Sequence, residues 1–309
     1  MRAVAFPEFG AAPVLTELPV PQPGPGEVLV EVRASSVNGF DLGVLGGYLK
    51  GVYEYEFPVV LGKDFAGVVA AVGDEVTTVD VGDSVFGVVM RPALGQGGFA
   101  EYVVVDARYG LARMPAELDH ALAGALGLAG TAALNAIDAV DPGAGELVLI
   151  SGATGGVGAY AIQLAAARGA TVIATAEPGA QSAFVRALGA TWVVNPAELV
   201  EQVGRISPDG VPAALHLAGD GETVARLITP GGRLASTLHF QPSGLDVSAT
   251  AVMADPSPET LTRLATQVVE GRLRVPLAKT YALTDAPQGI TDFGAGTVGK
   301  LAVTIPDRV

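Results

Sequence analysis

Hydrophobic and polar residues alternate with a period of two through the first hundred residues, and short turn signals interrupt the alternation. In residues 27–33 the side chains of Val28, Val30 and Val32 share one face, as a half-buried strand requires. The same pattern recurs between Gly-Asp and similar turns at residues 65–72, 79–81, 85–89 and 99–105. These segments predict a small, antiparallel, partly open β-barrel.

Beyond about residue 118 the pattern changes to an Ala- and Leu-rich helix and then to alternating hydrophobic strands and helices. The predicted strands cover residues 147–151, 171–176, 192–194, 214–217 and 233–237, with a last strand at 300–305. Ser257 and Pro258 mark the start of a helix that Gly271 ends. This order predicts an α/β fold with a doubly wound parallel sheet. Residues 1–118 then form the barrel, 119–255 the parallel-sheet domain, and 256–309 a return segment that completes the barrel.

The most informative segment is residues 147–176, which reads as a strand, a glycine-rich turn, a helix and a second strand. The turn departs from G-x-G-x-x-G only at Ala153, which replaces the first glycine. Glycines let the backbone approach a pyrophosphate, and the helix N-terminus offers it free N–H groups. A purely structural turn is the alternative. The predicted dinucleotide-binding turn consists of Gly152, Ala153, Thr154, Gly155, Gly156, Val157 and Gly158.

Charge and composition exclude several classes of function. The net charge of −14, from 18 basic and 32 acidic residues, argues against nucleic acid and anionic membrane surfaces as partners. The absence of cysteine removes disulfides, thiolate nucleophiles and cysteine-based zinc sites. The histidines, His120, His216 and His239, lack metal-ligand spacing and are expected to be structural. No signal peptide is recognisable, so the expected location is the cytoplasm.

Several spaced motifs carry a family resemblance. They are VNGFD (37–41), FPVVLGKDFAGVVAAVGDEV (57–76), VGDSVFG (81–87), GGFAEYVVV (97–105), SGATGGVG (151–158) and GGRLAS (231–236). In this order they resemble the medium-chain dehydrogenase/reductase superfamily, and within it the zinc-free quinone oxidoreductase branch. The resemblance covers essentially the whole chain. It implies a GroES-like barrel, an inserted Rossmann domain, and NADPH in a cleft.

Zinc-dependent members of that superfamily hold a catalytic metal with cysteine, histidine and a further cysteine or carboxylate. The resemblance places Asn38 and Lys63 at two of these ligand positions, so we expect no zinc. Hydride transfer to an isolated ketone creates a localised alkoxide, which needs strong electrophilic assistance. A quinone or an α,β-unsaturated carbonyl compound spreads the charge into a phenolate or enolate, so hydrogen-bond donors can suffice. The predicted substrate is therefore a small apolar quinone or enone.

The resemblance also supplies candidate catalytic residues. Asn38 is expected near the nicotinamide, and Tyr48 lies where enoyl-thioester reductase relatives have a tyrosine proposed to polarise or protonate the substrate. An aromatic cap on the barrel is the alternative role for Tyr48. Asp41 is expected to fix its loop through backbone hydrogen bonds. Lys63 is expected to form a structural pair with Asp64 or Asp41, with projection toward the cleft as the alternative.

The choice of nicotinamide cofactor depends on the end of the second strand of the parallel sheet. That strand ends at Ala176, where an NAD enzyme would carry an acidic residue, which leaves room for the 2′-phosphate of NADPH. Arg186 or Arg168 is its expected partner. Because Glu177 follows directly, and prolines stand where related NADPH enzymes often have Lys and Tyr, NADH is the alternative. The resemblance adds four residues to the cofactor site: Asn38, Thr131, Leu217 and Lys300.

The sequence also bears on other functional assignments. A short-chain dehydrogenase is excluded, because its glycine turn lies near the N-terminus and this chain contains no Tyr-x-x-x-Lys. An enoyl-thioester reductase stays open, although coenzyme A would favour a basic patch that this acidic chain lacks. A non-catalytic NADPH-binding sensor also stays open. A homodimer is expected, since family members commonly join Rossmann sheets edge to edge and a hydrophobic segment follows at residues 245–253.

Overall fold

The computed structural model of the chain describes residues 1–306, which divide into two compact units. The first unit contains Met1–Leu128, Asp255–Gly271 and the C-terminal segment from Leu277. The second unit contains Ala129–Ala254 and Arg272–Pro276. The first unit is therefore assembled from segments that lie far apart in the sequence.

Strands dominate the N-terminal part of the chain, and beyond it strands alternate with helices. The N-terminal part contains β1 (Arg2–Phe6), β2 (Val14–Glu17), β3 (Glu27–Val37), α1 (Gly39–Leu45), β4 (Glu54–Tyr55), β5 (Val59–Val60), β6 (Asp64–Val72), β7 (Ser84–Val88), β8 (Ala93–Leu94), β9 (Tyr102–Asp106), β10 (Leu111–Arg113), α2 (His120–Ala123) and α3 (Gly127–Val140). The chain continues with β11 (Leu147–Ser151), α4 (Gly156–Ala167), β12 (Thr171–Thr175), α5 (Ala180–Ala187), β13 (Trp192–Val194), α6 (Leu199–Ile206), β14 (Val211–His216), α7 (Gly221–Arg226), β15 (Ile228–Ser236), β16 (Val247–Ala251), α8 (Pro258–Val269), β17 (Leu277–Ala282), α9 (Ala286–Gly294) and β18 (Lys300–Thr304).

β3 is central to the largest sheet of the first unit, whose order is β10-β7-β6-β3-β18-β17 with β9 also paired to β3. One side of β3 pairs with β6, and the other side is shared between β9 and β18. All three pairings are antiparallel. Val28, Val30 and Val32 are fully buried, as their alternation predicts. The predicted antiparallel barrel is confirmed, except that β17 at the edge of this sheet pairs parallel with β18.

The strand predicted at residues 79–81 is wrong, because residues 79 and 80 belong to no helix or strand and a turn follows at residues 81–82. The carboxylate of Asp83 accepts a hydrogen bond from the backbone N–H of Asp80 at 2.7 Å, and the N–H of Asp83 donates to the carbonyl of Asp80 at 3.1 Å. Local hydrogen bonds of this kind compete with sheet pairing. Val79 is nevertheless buried, so the alternation at this point indicated burial without a strand.

The second unit contains a six-stranded sheet in the order β13-β12-β11-β14-β15-β16, and every neighbouring pair is parallel. The order is that of a doubly wound Rossmann sheet, and the predicted α/β class is confirmed. Leu149, Ile173 and Ala214 are fully buried at its centre. All strands end at one end of the sheet, the carboxyl end, and each helix that follows a strand runs back to the amino end.

β16 is the last strand of this sheet and corresponds to the hydrophobic segment at residues 245–253. The N–H of Val252 donates to Ser236, and the carbonyl of Asp246 accepts from Gly231. Since backbone groups alternate in direction along a strand, the even-numbered residues of β16 face β15 and the odd-numbered ones face away from it. Within residues 1–306, the N–H groups of Ala249 and Ala251 are thus open for pairing with another strand.

The helix α8 begins where the sequence predicts. The hydroxyl of Ser257 accepts from the N–H of Thr260 at 3.2 Å, and Pro258 occupies the first turn. Gly271 follows the helix with φ of 71°, a conformation that favours glycine. In the region that the structure describes, no helix has both the length and the apolar character needed to cross a membrane.

Candidate active site

The glycine-rich turn connects β11 to α4 at the carboxyl end of the parallel sheet. Gly152 has φ of 80°, and a Cβ there would lie 2.9 Å from the Cβ of Ala218. A Cβ on Gly158 would lie 2.4 Å from the carbonyl oxygen of Gly152 and 2.6 Å from the Cα of Ala153. Both positions therefore need glycine, the first for its conformation and the second for the close approach of helix and turn.

Hydrogen bonds hold this turn from both sides. The hydroxyl of Thr175 accepts from the N–H of Gly152 at 3.0 Å and donates to the carbonyl of Ile150 at 3.3 Å. The hydroxyl of Ser151 donates to the carbonyl of Ala218 at 2.6 Å. The N-cap of α4 is Gly155, and no side chain caps the helix. Its first N–H groups are left for an anion, so the turn fits the pyrophosphate of a dinucleotide.

Other residues predicted for the cofactor site lie in the same unit. The hydroxyl of Thr131 on α3 is buried and has no hydrogen-bond partner within residues 1–306. A buried polar atom of this kind is costly unless something satisfies it, which fits a polar group of a bound ligand. Leu217 is half-buried directly after β14, and Ala176 is buried directly after β12. Both follow strand ends at the carboxyl end of the sheet, where nucleotides bind in such folds.

The arginines predicted as partners of a 2′-phosphate do not lie at that end. Arg168 is the C-cap of α4 and forms ion pairs with Asp138 and Asp141. Arg186 is in the last turn of α5, and its guanidinium donates to the carbonyl of Thr191, just before β13. A helix that follows a parallel strand ends at the amino end of the sheet. Both predictions are therefore wrong.

A second group of polar residues is buried in the first unit around Asp64, which is 0% exposed. One oxygen of its carboxylate accepts from the hydroxyl of Ser36 at 2.5 Å and the side-chain amide of Asn38 at 2.8 Å. The other accepts from the N–H of Leu128 at 2.6 Å. The ammonium of Lys300 lies 3.6 Å from Asp64 and donates to the side-chain oxygen of Asn38 at 2.7 Å. We call Ser36, Asn38, Asp64 and Lys300 the Asp64 cluster.

The Asp64 cluster changes the interpretation of two predicted site residues. The second hydrogen of the Asn38 amide goes to the carbonyl of Ser36 at 3.1 Å, so both hydrogens already have acceptors. Lys300 is 2% exposed, and its ammonium also donates to the carbonyl of Val37 at 3.3 Å. Burial lowers the pKa of Lys300, opposed by the nearby carboxylates. The structure thus places Asn38 and Lys300 in internal contacts, where neither has a donor to spare for a ligand.

Asp41 fixes its loop, as the sequence predicts. Its carboxylate accepts from the N–H of Asn38 at 2.8 Å and from the N–H of Gly62 at 3.0 Å. Burial raises the pKa of Asp41 from 3.8 to about 7, although both hydrogen bonds act to lower it. These contacts join the start of α1 to the loop before β6, so Asp41 holds the two motifs of the family resemblance together.

Lys63 does not form the structural ion pair that was expected. Its side chain is buried, with the ammonium 4.7 Å from the centre of the Phe40 ring. Burial lowers the pKa of Lys63 to about 8, opposed by Asp41 and Asp64. Lys63 lines a pocket of the first unit together with Phe40 and Leu94. A partly desolvated ammonium that faces a pocket is a hydrogen-bond donor for a developing negative charge.

Tyr48 lies in the turn after α1 and is 83% exposed. This exposure excludes the alternative that it caps the barrel. Tyr53 and Tyr55, in the same loop, do pack against the core, and the hydroxyl of Tyr55 donates to the carbonyl of Val44 at 3.3 Å. Of these three tyrosines, Tyr48 is therefore the one whose ring is exposed to solvent.

His216 is structural, as expected. One ring nitrogen lies 3.1 Å from the carbonyl oxygen of Gly219, and the other lies 3.0 Å from the hydroxyl of Ser236. Because a carbonyl only accepts, the nitrogen facing Gly219 carries the hydrogen and the other accepts from Ser236. Across residues 1–306, no group of three or more His, Cys, Asp and Glu side chains is arranged to hold a metal ion.

Comparisons with known proteins match both units. Residues 24–116 match the family described as the alcohol dehydrogenase GroES-like domain, and residues 156–248 match the family described as zinc-binding dehydrogenase. The chain is 34% identical over 230 residues to the chloroplastic quinone-oxidoreductase QR1 of Triphysaria versicolor. That similarity covers 71% of this chain and 68% of the relative.

A second relative is much longer than this chain. The mycocerosic acid synthase-like polyketide synthase of Mycobacterium tuberculosis is 35% identical over 314 residues, which covers 92% of this chain and 14% of the synthase. Among solved structures, the quinone oxidoreductase from Coxiella burnetii superposes with a TM-score of 0.88 at 28% identity, over 99% of both chains. The chain is thus similar in sequence and in fold to enzymes that carry out oxidoreduction of quinones, and to part of a synthase.

Proposed function

We propose, because this chain belongs to the quinone oxidoreductase branch of the medium-chain dehydrogenase/reductase superfamily, that it reduces a quinone or an α,β-unsaturated carbonyl compound with a reduced nicotinamide dinucleotide. The observation that carries the choice of substrate is the Asp64 cluster together with Lys63. A lysine occupies the position of a zinc-binding histidine, and the carboxylate of Asp64 is saturated by Ser36, Asn38, Leu128 and Lys300. This donor set does not suit zinc, which binds thiolate, imidazole and free carboxylate.

The residues of the chain then have separate roles. The turn from Gly152 to Gly158 binds the pyrophosphate through backbone N–H groups, and the buried hydroxyl of Thr131 receives a polar group of the same ligand. The dinucleotide, when bound, supplies a hydride. Lys63 and Tyr48 are the proposed donors that stabilise the oxygen of the acceptor and return a proton to it. Asn38 and Asp41 position this part of the barrel.

The test is the loss of absorbance of NADPH and NADH, run in parallel, with a benzoquinone, a naphthoquinone, an alkenone, crotonyl-coenzyme A and a saturated ketone. We expect oxidation with the quinones or the alkenone, and much slower oxidation with the saturated ketone. Turnover of the saturated ketone alone would refute the proposal. Binding without turnover of any acceptor would instead favour the sensor.

The proposed donors are tested by Lys63→Met and Tyr48→Phe. Each should lower kcat by about 100- to 1,000-fold, the range for losing a donor to a developing oxyanion or a general acid. Lys50→Met is the matched control, since the Lys50 ammonium also lies over an aromatic ring, that of Phe9, but on an exposed side chain. Equal activity of Lys63→Met and Lys50→Met would remove Lys63 from the mechanism.

Dinucleotide binding to the turn is tested separately by Gly156→Asp. A carboxylate in the first turn of α4 would occupy and repel the pyrophosphate, so binding measured by calorimetry should be lost. Gly204→Asp is the control, because Gly204 is exposed in α6 and a Cβ there meets nothing within 4 Å. Unchanged affinity of Gly156→Asp would place the dinucleotide elsewhere.

A second candidate function is the reduction of an enoyl thioester, which the similarity to the polyketide synthase favours. An enoyl thioester also accepts hydride at a conjugated carbon, so the same donors would serve. Crotonyl-coenzyme A distinguishes the two candidates in the absorbance assay. A kcat/KM for this thioester well above that of every quinone would establish the second candidate over the first.

We also propose that the protein forms a homodimer through β16, whose outward N–H groups are open for pairing. A two-fold axis beside β16 would pair it antiparallel with the same strand of a second copy. The light-scattering mass of the full chain at micromolar concentration tests this proposal.

A further inference from the structure

The adenosine end of a Rossmann site lies where the second strand of the sheet finishes, which in this chain is the end of β12. Ala176 is buried and Glu177, the next residue, is exposed. The backbone N–H of Glu177 donates to the side chain of Gln181 at 3.1 Å, and its carbonyl accepts from the hydroxyl of Ser182 at 2.9 Å. The loop after β12 is thus fixed by its own side chains, and the exposed carboxylate of Glu177 can face a ligand.

The arginines of residues 129–254 lie at the opposite end of the sheet, its amino end. Between Ala129 and Ala254 the sequence contains no lysine and five arginines. Four of them, Arg168, Arg186, Arg205 and Arg226, lie in the last turn or the C-cap of a helix. Each of these helices follows a parallel strand, so its C-terminus lies at the amino end of the sheet. Arg233 pairs with Glu146, which precedes β11 and so lies at the amino end too.

The carboxyl end is acidic by contrast. Glu177 follows β12, Glu198 lies in the turn after β13, and Asp220 follows β14 as the N-cap of α7. Asp220 is occupied by the N–H and hydroxyl of Thr223, and Glu198 accepts a hydrogen bond from Gln202. Glu177 is the acid of this group that stands next to the second strand and has no such capping role. It stands one residue beyond Ala176, the position at which NAD enzymes carry the acid that hydrogen-bonds the ribose hydroxyls.

We propose that the adenosine end of this site selects NADH over NADPH, with the Glu177 carboxylate accepting hydrogen bonds from the ribose hydroxyls of NADH and repelling the 2′-phosphate of NADPH. This inference rests on the proposed dinucleotide site and reverses the cofactor preference that the family resemblance implies. The two cofactors differ only by a phosphate at the 2′ position. A phosphate beside a carboxylate, with no cation from residues 129–254 to neutralise it, is strongly disfavoured.

The experiment is calorimetric titration of the full chain with NADH and NADPH, repeated with ADP-ribose and 2′-phospho-ADP-ribose, which probe the adenosine end without the nicotinamide. We expect NADH and ADP-ribose to bind at least about tenfold more tightly than their phosphorylated counterparts, a difference of about 1.4 kcal/mol or more. Raising the salt concentration should narrow the difference in affinity, because the repelling charges are exposed to solvent and salt screens them. Equal affinities, or tighter binding of NADPH, would overturn the inference.

Two variants identify the residue responsible. Glu177→Gln should bring the affinities for NADH and NADPH together, and Glu177→Lys should reverse their order. Asp209→Asn is the matched control, since it removes one exposed carboxylate from the turn before β14, at the amino end of the same sheet, and should leave the ratio unchanged. An equal change in the ratio of NADH affinity to NADPH affinity in Asp209→Asn and Glu177→Gln would refute the role of Glu177. If neither cofactor and neither fragment binds to the protein, the proposed dinucleotide site is refuted instead.

Discussion

Replacing Lys300 by methionine tests whether a buried ion pair contributes more to stability than an exposed ion pair on the neighbouring strand. Lys300 begins β18 and lies 3.6 Å from Asp64, with 2% of its side chain exposed. Lys279, on the adjacent β17, lies closer to its partner Asp292, at 2.9 Å, but 57% of its side chain is exposed. Distance alone would rank the Lys279 pair as the stronger one. Burial predicts the opposite order for the cost of removing each lysine.

The magnitude follows from what each lysine leaves behind. Without Lys300, the carboxylate of Asp64 stays buried with an uncompensated charge, and breaking a buried pair in this way costs about 3–5 kcal/mol. The side-chain oxygen of Asn38 and the carbonyl of Val37 also lose a donor, which is part of the same loss. Without Lys279, water solvates Asp292, and an exposed pair contributes about 0–1 kcal/mol.

The assay is denaturant unfolding of the full chain, with the free energy of unfolding compared between Lys300→Met and Lys279→Met. All tyrosines except Tyr160 belong to the first unit, and Trp192 belongs to the second, so the two fluorophores follow the units separately. We expect the tyrosine transition to shift strongly in Lys300→Met and the tryptophan transition to move much less. Equal losses in Lys300→Met and Lys279→Met would refute the reasoning.

A double variant keeps this test decisive if Lys300→Met yields little folded protein. Asp64→Asn removes the charge that Lys300 compensates, so Lys300→Met combined with Asp64→Asn should be more stable than the sum of the single losses predicts. Strict additivity of the two substitutions would show that the residues do not act as a pair.

Three further predictions concern other parts of the molecule. The folded pKa of Asp41 is raised from 3.8 to about 7, so its protonated form favours folding. The stability of the native chain relative to Asp41→Asn should therefore be greatest below about pH 4 and should fall as the pH rises from about 4 to 7. A stability difference independent of pH would contradict this. Gly158→Ala should destabilise the second unit and abolish dinucleotide binding, since its Cβ would lie 2.4 Å from a backbone atom. Gly204→Ala, where a Cβ meets open space on α6, should instead stabilise the protein by about 0.5–1 kcal/mol in thermal unfolding. Similar effects of the two substitutions would refute the packing argument. Ala251→Pro removes an outward N–H of β16 and should yield folded monomers by light scattering. Thr250→Pro removes an N–H that faces β15 and should lower the melting temperature. If the Ala251→Pro protein is still a dimer, pairing through β16 is excluded.

The sequence predicts the fold well because the signals involved are local. Alternation in β3 and β6 reports which side chains face the core, and the glycine turn needs only the few residues between Gly152 and Gly158. The strand predicted at 79–81 fails for an equally local reason, since Asp83 binds the backbone of Asp80 and closes a turn. A short apolar alternation does not distinguish these outcomes unless the capping side chain is considered.

The candidate site was only partly predictable. In the Asp64 cluster, Asn38 is hydrogen-bonded to Asp64, 26 positions away, and to Lys300, 262 positions away, and no local pattern indicates that Lys300 and Asn38 would meet. The misplacement of Arg168 and Arg186 could have been foreseen, because the direction of a helix after a parallel strand is fixed by the fold class. Residue type suggested phosphate binding, but position in the helix decides which end of the sheet an arginine reaches.

The place of β18 has a consequence for how the chain is made. β18 covers the end of one side of β3, residues 34–37, yet it lies beyond the inserted second unit in the sequence. During synthesis, β3 and the rest of Met1–Leu128 leave the ribosome long before Lys300 is added. At about 5–20 residues per second, the interval is on the order of 10 to 30 seconds. Throughout that time β3 has an open edge on which a wrong strand could pair. The size of the inserted unit therefore sets how long the barrel must stay incomplete in the cell.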